Sequence, residues 1–514
     1  MRINLYFLIL TAIFYSQLSF AQGIFSGSNM MEFQYGNLPN LEPKDQFSLY
    51  DQLNLAYRYK TLNAQIRIEQ YYPSFGTDNK YFRLSQAKVQ YRSKKLDLQV
   101  GNIYSSFGRG LLLRMYEIPG SIWETRGYRV RYGFYKDMLG GSAKINLNNL
   151  EVKVLGGKVL DVTLPPTISD GNVKDQIQAR RPDLVAGAET SYRFNKQKVG
   201  LMYMRNETNN NSLGSEDDIM VSHYASINYE GILLNNLSVY SELAHKIEKG
   251  INVFSFDREA AYGGYIGLNY FINNIGASLE YKNYHNFFIG TGVNDPPTLV
   301  KEQSYRLLNR STHVPILTDE SGYQLEVYYN MKNGSLLTFN TSMARNEVVE
   351  GDPTYFLEFF GEYQFYAGDN ISGKAFADYS RDPFINEMNR YATGGIVEMA
   401  HEKLSSTVEL EWQMINRVTS MDVTFSNWYV NYTLSKASKF SASLLLEVTG
   451  DPVQVNEGKN HNFYPSTSFS YHINPKNIFT LFVGKRRGGP ACNSGVCYDV
   501  LDFEGLEMRF STRF

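Results

Sequence analysis

The sequence predicts an all-β fold: a transmembrane, antiparallel, up-and-down β-barrel of about 24 or 26 strands with no separate plug domain. Three observations predict it. The chain begins with a short apolar leader, it ends on an amphipathic strand whose last residue is Phe514, and short turns alternate with long loops in between.

In the leader, Arg2 precedes the apolar stretch Leu5–Phe14, and Ser19 and Ala21 are small residues suited to cleavage before Gln22. The stretch is too short to cross a bilayer as a helix. Residues 1–21 are therefore expected to be an export signal, with the barrel occupying 22–514. Alternation starts almost at once with Met31, Phe33 and Tyr35, which leaves no room for a globular plug before the first strand.

The same period of two recurs along the chain. Apolar residues alternate at Ala87/Val89/Tyr91, Tyr128/Val130/Tyr132/Phe134, Ile275/Ala277/Leu279/Tyr281, Tyr323/Leu325/Val327/Tyr329, Leu357/Phe359/Gly361/Tyr363/Phe365 and Val408/Leu410/Trp412/Met414. Such runs have about the ~9–11 residues that a tilted membrane strand needs. Short turns are expected near 195–197, 235–236, 273–274, 332–334, 368–370, 400–403, 435–438 and 474–475. Longer loops fall between them, the largest at 158–182, 286–321 and 486–499. Short turns at one rim and long loops at the other are the asymmetry of a membrane barrel. The rhythm breaks between 92 and 150, where one strand of a count of roughly 25 must be wrong, since single-chain bacterial barrels have even numbers.

In the last strand, Leu506, Met508, Phe510, Thr512 and Phe514 form one face, and Glu507, Arg509, Ser511 and Arg513 the other. This ending resembles the C-terminal assembly signal of bacterial outer-membrane proteins. The resemblance implies signal residues Phe510 and Phe514, recognition by the barrel-assembly machinery, and an outer-membrane location with both termini periplasmic.

Composition agrees. An apolar share of 43% is too high for disorder, 39 Tyr and 32 Phe suit interfacial girdles, and a net charge of −2 argues against nucleic acid as a partner. The two cysteines are no disulfide scaffold. Cys492 and Cys497 are expected to pair with each other in the last loop, because export carries them to an oxidising compartment; metal binding is the alternative, but two thiols without a nearby His are too few ligands for a structural zinc site. No metal or cofactor is expected.

If outward faces meet lipid, the opposite positions line the lumen. The expected basic set is Lys88, Arg92, Arg129 and Arg131 on early strands and Arg509 and Arg513 on the last, with Arg109 and Arg114 turned inward from the Gly-rich segment Gly101–Arg114. The expected acidic set is Glu280, Glu326, Glu358, Glu362, Glu409, Glu411 and Glu447. Opposed arcs of charge would set a transverse field across a water-filled constriction; alternatively the charges pair with one another and fill the interior. Gly108 and Gly110 around Arg109 suggest a bend where backbone approaches backbone. Segment 286–321, with Phe287-Phe288-Ile289, Pro296-Pro297, Leu307-Leu308 and Val314–Leu317, is too apolar to wave in water. It is expected to fold into the mouth, to dock a surface protein partner, or to pack on the outer rim.

Catalysis is not expected. The seven His are scattered and no hydrolase or metalloprotease motif is present.

Gly101-Asn-Ile-Tyr…Phe107-Gly-Arg-Gly-Leu111, Pro296-Pro-Thr-Leu…Leu307-Leu-Asn-Arg310 and Arg487-Gly-Gly…Cys492…Gly-Val-Cys497…Phe503-Glu-Gly resemble a family of uncharacterised outer-membrane proteins of the Bacteroidota. The resemblance implies a location and no activity. Three functions follow in order of expectation. The first is a pore or substrate-specific passive transport channel. The second is a sealed accessory barrel serving a surface secretion or adhesion machine. A barrel lipid hydrolase comes a remote third.

Overall fold

The computed structural model describes residues 23–37, 44–72, 80–124, 130–160, 180–209, 219–248, 256, 260–290, 292–314, 319–349, 352–420, 422–493 and 496–514. Twenty-four strands form one antiparallel sheet. The sheet closes on itself where the first strand, Ile24–Asn37, pairs with the last, Phe503–Arg513, Met31 standing opposite Phe510. The strand number is thus the lower of the two expected.

The rims differ as the sequence predicted. One rim, here the terminal rim, holds Ile24, Phe514 and the short turns. Asn148, Asn195 and Asn273 sit there at φ of 53°, 52° and 48°, the positive values that tight hairpin turns require and that Asn tolerates. The opposite loop rim carries the long connections. Phe514 is tied to the wall by its backbone N–H, which donates to Gly27 O at 3.0 Å, and its ring packs near Phe25.

Strand faces follow the alternation. Val100, Leu201, Ile227, Leu410 and Leu444 point outward and are exposed, forming an apolar band around the barrel. With no water available to backbone groups in hydrocarbon, closing the sheet satisfies every edge; this geometry together with the band makes the barrel membrane-spanning.

Among the described residues, two stretches of chain leave the wall and turn inward. The first lies between Leu96–Ile103 and Met138–Leu147, which are wall neighbours. It forms two small hairpins of its own, Ser106–Phe107 with Leu113–Arg114 and Tyr116–Glu124 with Arg131–Lys136. This corrects the strand expected at 128–134: Arg131–Lys136 is not part of the wall. It alternates like a membrane strand, yet Arg131 through Tyr135 are all buried, being covered on both faces. The second stretch joins Ile275–His285 to Asp319–Asn330 and contains one short helix, Arg306–Asn309. A third connection, after Asn477–Arg486, forms a hairpin of Gly489–Asn493 and Val496–Val500 that lies against Tyr116–Glu124. Its register sets Cys492 opposite Cys497; the side chains of both lie outside the described residues.

Candidate functional site in the barrel interior

The first inward segment, 104–137, carries its own apolar core. Phe107, Leu111, Leu112, Leu113 and Met115 are buried against wall residues Val185, Met202, Met204 and Tyr224. Burying each such side chain stabilises by roughly 1.5–3 kcal/mol. Gly187 on the wall leaves the space that the Phe107 ring fills; a Cβ there would lie 2.7 Å from it. The turn after Phe107 runs through Gly108 and Gly110 at φ of 52° and 98°, a left-handed backbone that favours glycine. It brings Arg109 to the tip, where its N–H donates to Glu242 Oε2 at 2.9 Å and its guanidinium lies 4.5 Å from the Tyr240 ring centre. At the other end of the segment, Arg131 Nη1 meets Glu32 Oε1 of the first strand at 2.5 Å, with Glu124 and Glu507 close by. Gly133 N–H donates to Glu69, which also accepts from Tyr50.

The second segment, 286–314, is held differently. Phe287, Ile289, Val293 and Leu299 join the same apolar cluster. Beyond them the segment has little regular structure, and wall side chains satisfy its backbone. Glu411 accepts from Arg306 N–H at 2.8 Å and Leu307 N–H at 2.7 Å, filling the open donors at the start of the short helix. Arg390 donates to Ser311 O, and Tyr284 donates to Pro297 O.

Ion pairs complete the attachment. Buried Glu447 receives Arg306 Nε at 3.1 Å, Arg310 Nε at 3.2 Å and Arg487 Nη1 at 3.0 Å. Arg310 also donates to the carbonyls of Arg487 and Gly488, joining the segment to the last loop. Lys301 pairs with Glu326 and Tyr305 OH donates to Glu362. His313 stacks on Phe356 and lies between Asp382, 2.9 Å from Nδ1, and Glu320, 3.5 Å from Nε2. Burial disfavours its charged form, but hydrogen bonds to the two carboxylates outweigh this and raise its pKa to about 9.

The two segments also grip each other. Arg114 N–H donates to Val293 O at 3.0 Å, Asp295 N–H donates to Gly110 O, and Lys136 pairs with Asp295 at 3.5 Å.

The expected lumen residues are therefore spread over two kinds of structure. Arg109, Arg114 and Arg131 belong to the inward segment rather than the wall. Lys88 and Arg509 are on wall strands, Arg509 donating to Glu32 at 2.6 Å. Arg92 pairs with Asp97 across a turn at the terminal rim, and Arg513 is exposed at that rim. Arg129 lies outside the described residues. Among the acids, Glu326, Glu362, Glu411 and Glu447 contact the second segment, whereas Glu358 binds the wall residue Arg390 at 2.9 Å. Glu280 and Glu409 are half-buried on the wall.

In this arrangement described charges of the two sectors meet partners, the alternative the sequence also allowed. The acidic sector is met by cations that the inward segment and last loop bring to it. The basic sector carries its own acids in Glu32, Glu69, Glu117 and Glu507. Burying a charge without a partner is costly, and among the described residues the in-folded cations sit against carboxylates or aromatic faces. Glu32, Glu69, Glu242, Arg306, Asp382 and Arg390 were not singled out from the sequence, Arg310 was named only as the end of a family-like motif, and His313 was noted only among scattered histidines.

The chain belongs to a family of unknown function, DUF6029, whose family model matches residues 1–514. A search of the curated proteins returns no match. Among solved structures, an E. coli P pilus tip assembly intermediate, PapC-PapD-PapK-PapG, is similar with a TM-score of 0.50 and 9% identity, over 95% of this chain and 60% of that one. The P pilus usher (PapC) translocation pore gives a TM-score of 0.47 and 10% identity over 95% and 99%. Pseudomonas aeruginosa OpdK with vanillate gives 0.37 and 13% over 73% and 97%. The likeness is one of fold.

Proposed function

We propose that this protein is an outer-membrane conduit held closed from within, and that segment 286–314 is its gate. The observation that carries this reading is the mode of attachment of that segment. Phe287, Ile289, Val293 and Leu299 pack in the apolar cluster, but the rest of its backbone and its cations are held chiefly by polar wall side chains, contacts that water and counter-ions can replace when the segment leaves. A strand set of this width leaves an aqueous channel when its interior is not filled, so withdrawing segment 286–314 opens a passage beside the first segment.

The wall of that passage supports a polar cargo. On the strands between 405 and 474, the inward positions toward the terminal rim are small hydroxyl residues: Thr433, Ser435, Ser441, Ser443, Ser468 and Ser470. They offer donors and acceptors without fixed charge, which suits hydrated, neutral solutes better than apolar ones.

Planar-bilayer conductance of the refolded protein tests the proposal. The intact protein is expected to be silent or to open rarely, and a variant with 287–313 replaced by a short Gly-Ser linker to conduct steadily. Silence in both would overturn the gate and favour a sealed accessory barrel.

A further inference from the structure

The outward face of the first three strands carries a polar island in the middle of the apolar band. On Gln46–Tyr59 the outward residues are Phe47, Leu49, Asp51, Leu53, Leu55 and Tyr57, so Asp51 has apolar neighbours both above and below it. Its register partner on one side is Met31, beyond which Phe33 and Tyr35 continue outward toward the loop rim. On the other side it stands opposite Gln70, with Ile68 and Tyr72 flanking on the same face. Elsewhere outward charges such as Arg205–Glu207 and Lys485–Glu504 lie at the loop rim, where they reach headgroups and water.

An ionisable side chain facing hydrocarbon is costly and marks a contact site. Asp51 accepts from Asn29 Nδ2, which reaches Oδ1 at 2.6 Å and also contacts Gln52 O at 3.3 Å, and from the Gln52 backbone. A carboxylate has room for further donors, and Gln70 carries a carboxamide at the neighbouring register position.

We propose that this island is the interface at which a second copy of the chain docks side by side in the membrane. The patch is self-complementary. Copies in one membrane share an orientation, so a two-fold axis between them runs along the membrane normal. An axis passing between Asp51 and Gln70, which are neighbours across two strands, sets Asp51 of each copy against Gln70 of the other. Two identical hydrogen bonds then form inside a frame of Leu49, Leu53, Ile68 and Met31. A partner carrying a single cation would match Asp51 but leave Gln70 unused, so the paired donor and acceptor favour a like copy.

The test is inter-copy crosslinking of the full chain in outer-membrane vesicles. Leu53→Cys is expected to form a disulfide-linked dimer on oxidation, whereas Leu410→Cys, outward on another part of the wall, is not. Adding Asp51→Leu to Leu53→Cys is expected to lower the dimer fraction at least tenfold, with native mass spectrometry in mild detergent shifting from two copies to one. Resistance of the barrel to unfolding on gels shows that the variants are folded. Two results would overturn the proposal: a Leu53→Cys barrel that is folded yet gives no dimer, or a dimer that Asp51→Leu leaves unchanged. Asp51-dependent capture of a different protein at Leu53→Cys would overturn it too, assigning the site to an unlike partner.

Discussion

The two inward segments fill one barrel and share one apolar cluster, but apolar and polar anchors are differently balanced in them. Segment 104–137 folds on itself into hairpins and buries a continuous apolar run, Leu111-Leu112-Leu113, against an apolar part of the wall. Segment 286–314 has one short helix and depends on the wall for its hydrogen bonds, through Glu411, Arg390 and Tyr284. Apolar packing has no substitute in water, whereas a carboxylate–arginine contact has one. On the proposed reading the first segment, which is mostly apolar in its anchoring, is the fixed constriction, and the second, which adds many polar contacts to its apolar ones, is the part that leaves.

The broadest way to break this contrast is to remove each segment in turn. Deleting 105–136 is expected to lower the yield and melting temperature of the folded barrel sharply, as it strips the cover from Val185, Met202 and Met204. Deleting 287–313 is expected to cost less stability and to raise conductance by an order of magnitude or more. The reverse pattern in thermal unfolding and bilayer recordings would exchange the roles.

Single changes sharpen it. Glu447→Ala leaves three guanidiniums without their shared carboxylate, and removing one partner of a buried pair costs about 3–5 kcal/mol. The expected readout is faster protease cleavage within 286–314 and longer openings, with barrel melting little changed. Phe107→Ala is expected to cost about 3–5 kcal/mol in the stability of the first segment. It should show as a lower melting temperature without more openings.

The smallest effect is one of pH. The His313 pKa is raised to about 9, above its ordinary value near 6.5. Its contribution to holding the segment is therefore full below about pH 6.5 and is lost as pH rises through about 9. Opening frequency is expected to rise between pH 8 and 10, and His313→Gln to abolish that rise. A rise that persists in the variant would place the titrating group elsewhere.

Much of the wall was legible because lipid imposes a strict rule on it: outward residues such as Val327 and Leu410 must be apolar, and the period of two shows them directly. Turn chemistry set the terminal rim, with Asn at positions needing positive φ. The interior obeys no such rule. The hairpin strand Arg131–Lys136 alternates as a wall strand does, so periodicity alone assigned it to the wall. A usable signal was present in Leu201-Met-Tyr-Met204. That run is apolar on both faces, which a wall strand open to water on its inner side does not need; Met202 and Met204 are buried under the first segment. Segment 286–321 stood out by its apolar content, and its descent into the mouth was among the readings that content allowed. Its contacts with Glu411, Glu447 and Asp382 join residues far apart in sequence, and no local pattern announces them.

The central claim is that segment 286–314 must leave the wall for the conduit to open. A cysteine pair at Ser311 and Gln413, whose native side chains meet at 3.2 Å, tests it most directly when bridged by a short, reducible bis-thiosulfonate linker in the Glu447→Ala background. The linker takes the place of the long glutamine side chain, which a direct disulfide would not span. Bridging is expected to silence the openings of that variant and reduction to restore them, within one recording. Openings that continue unchanged with the bridge formed would contradict the account and send the search for the gate to another part of the interior.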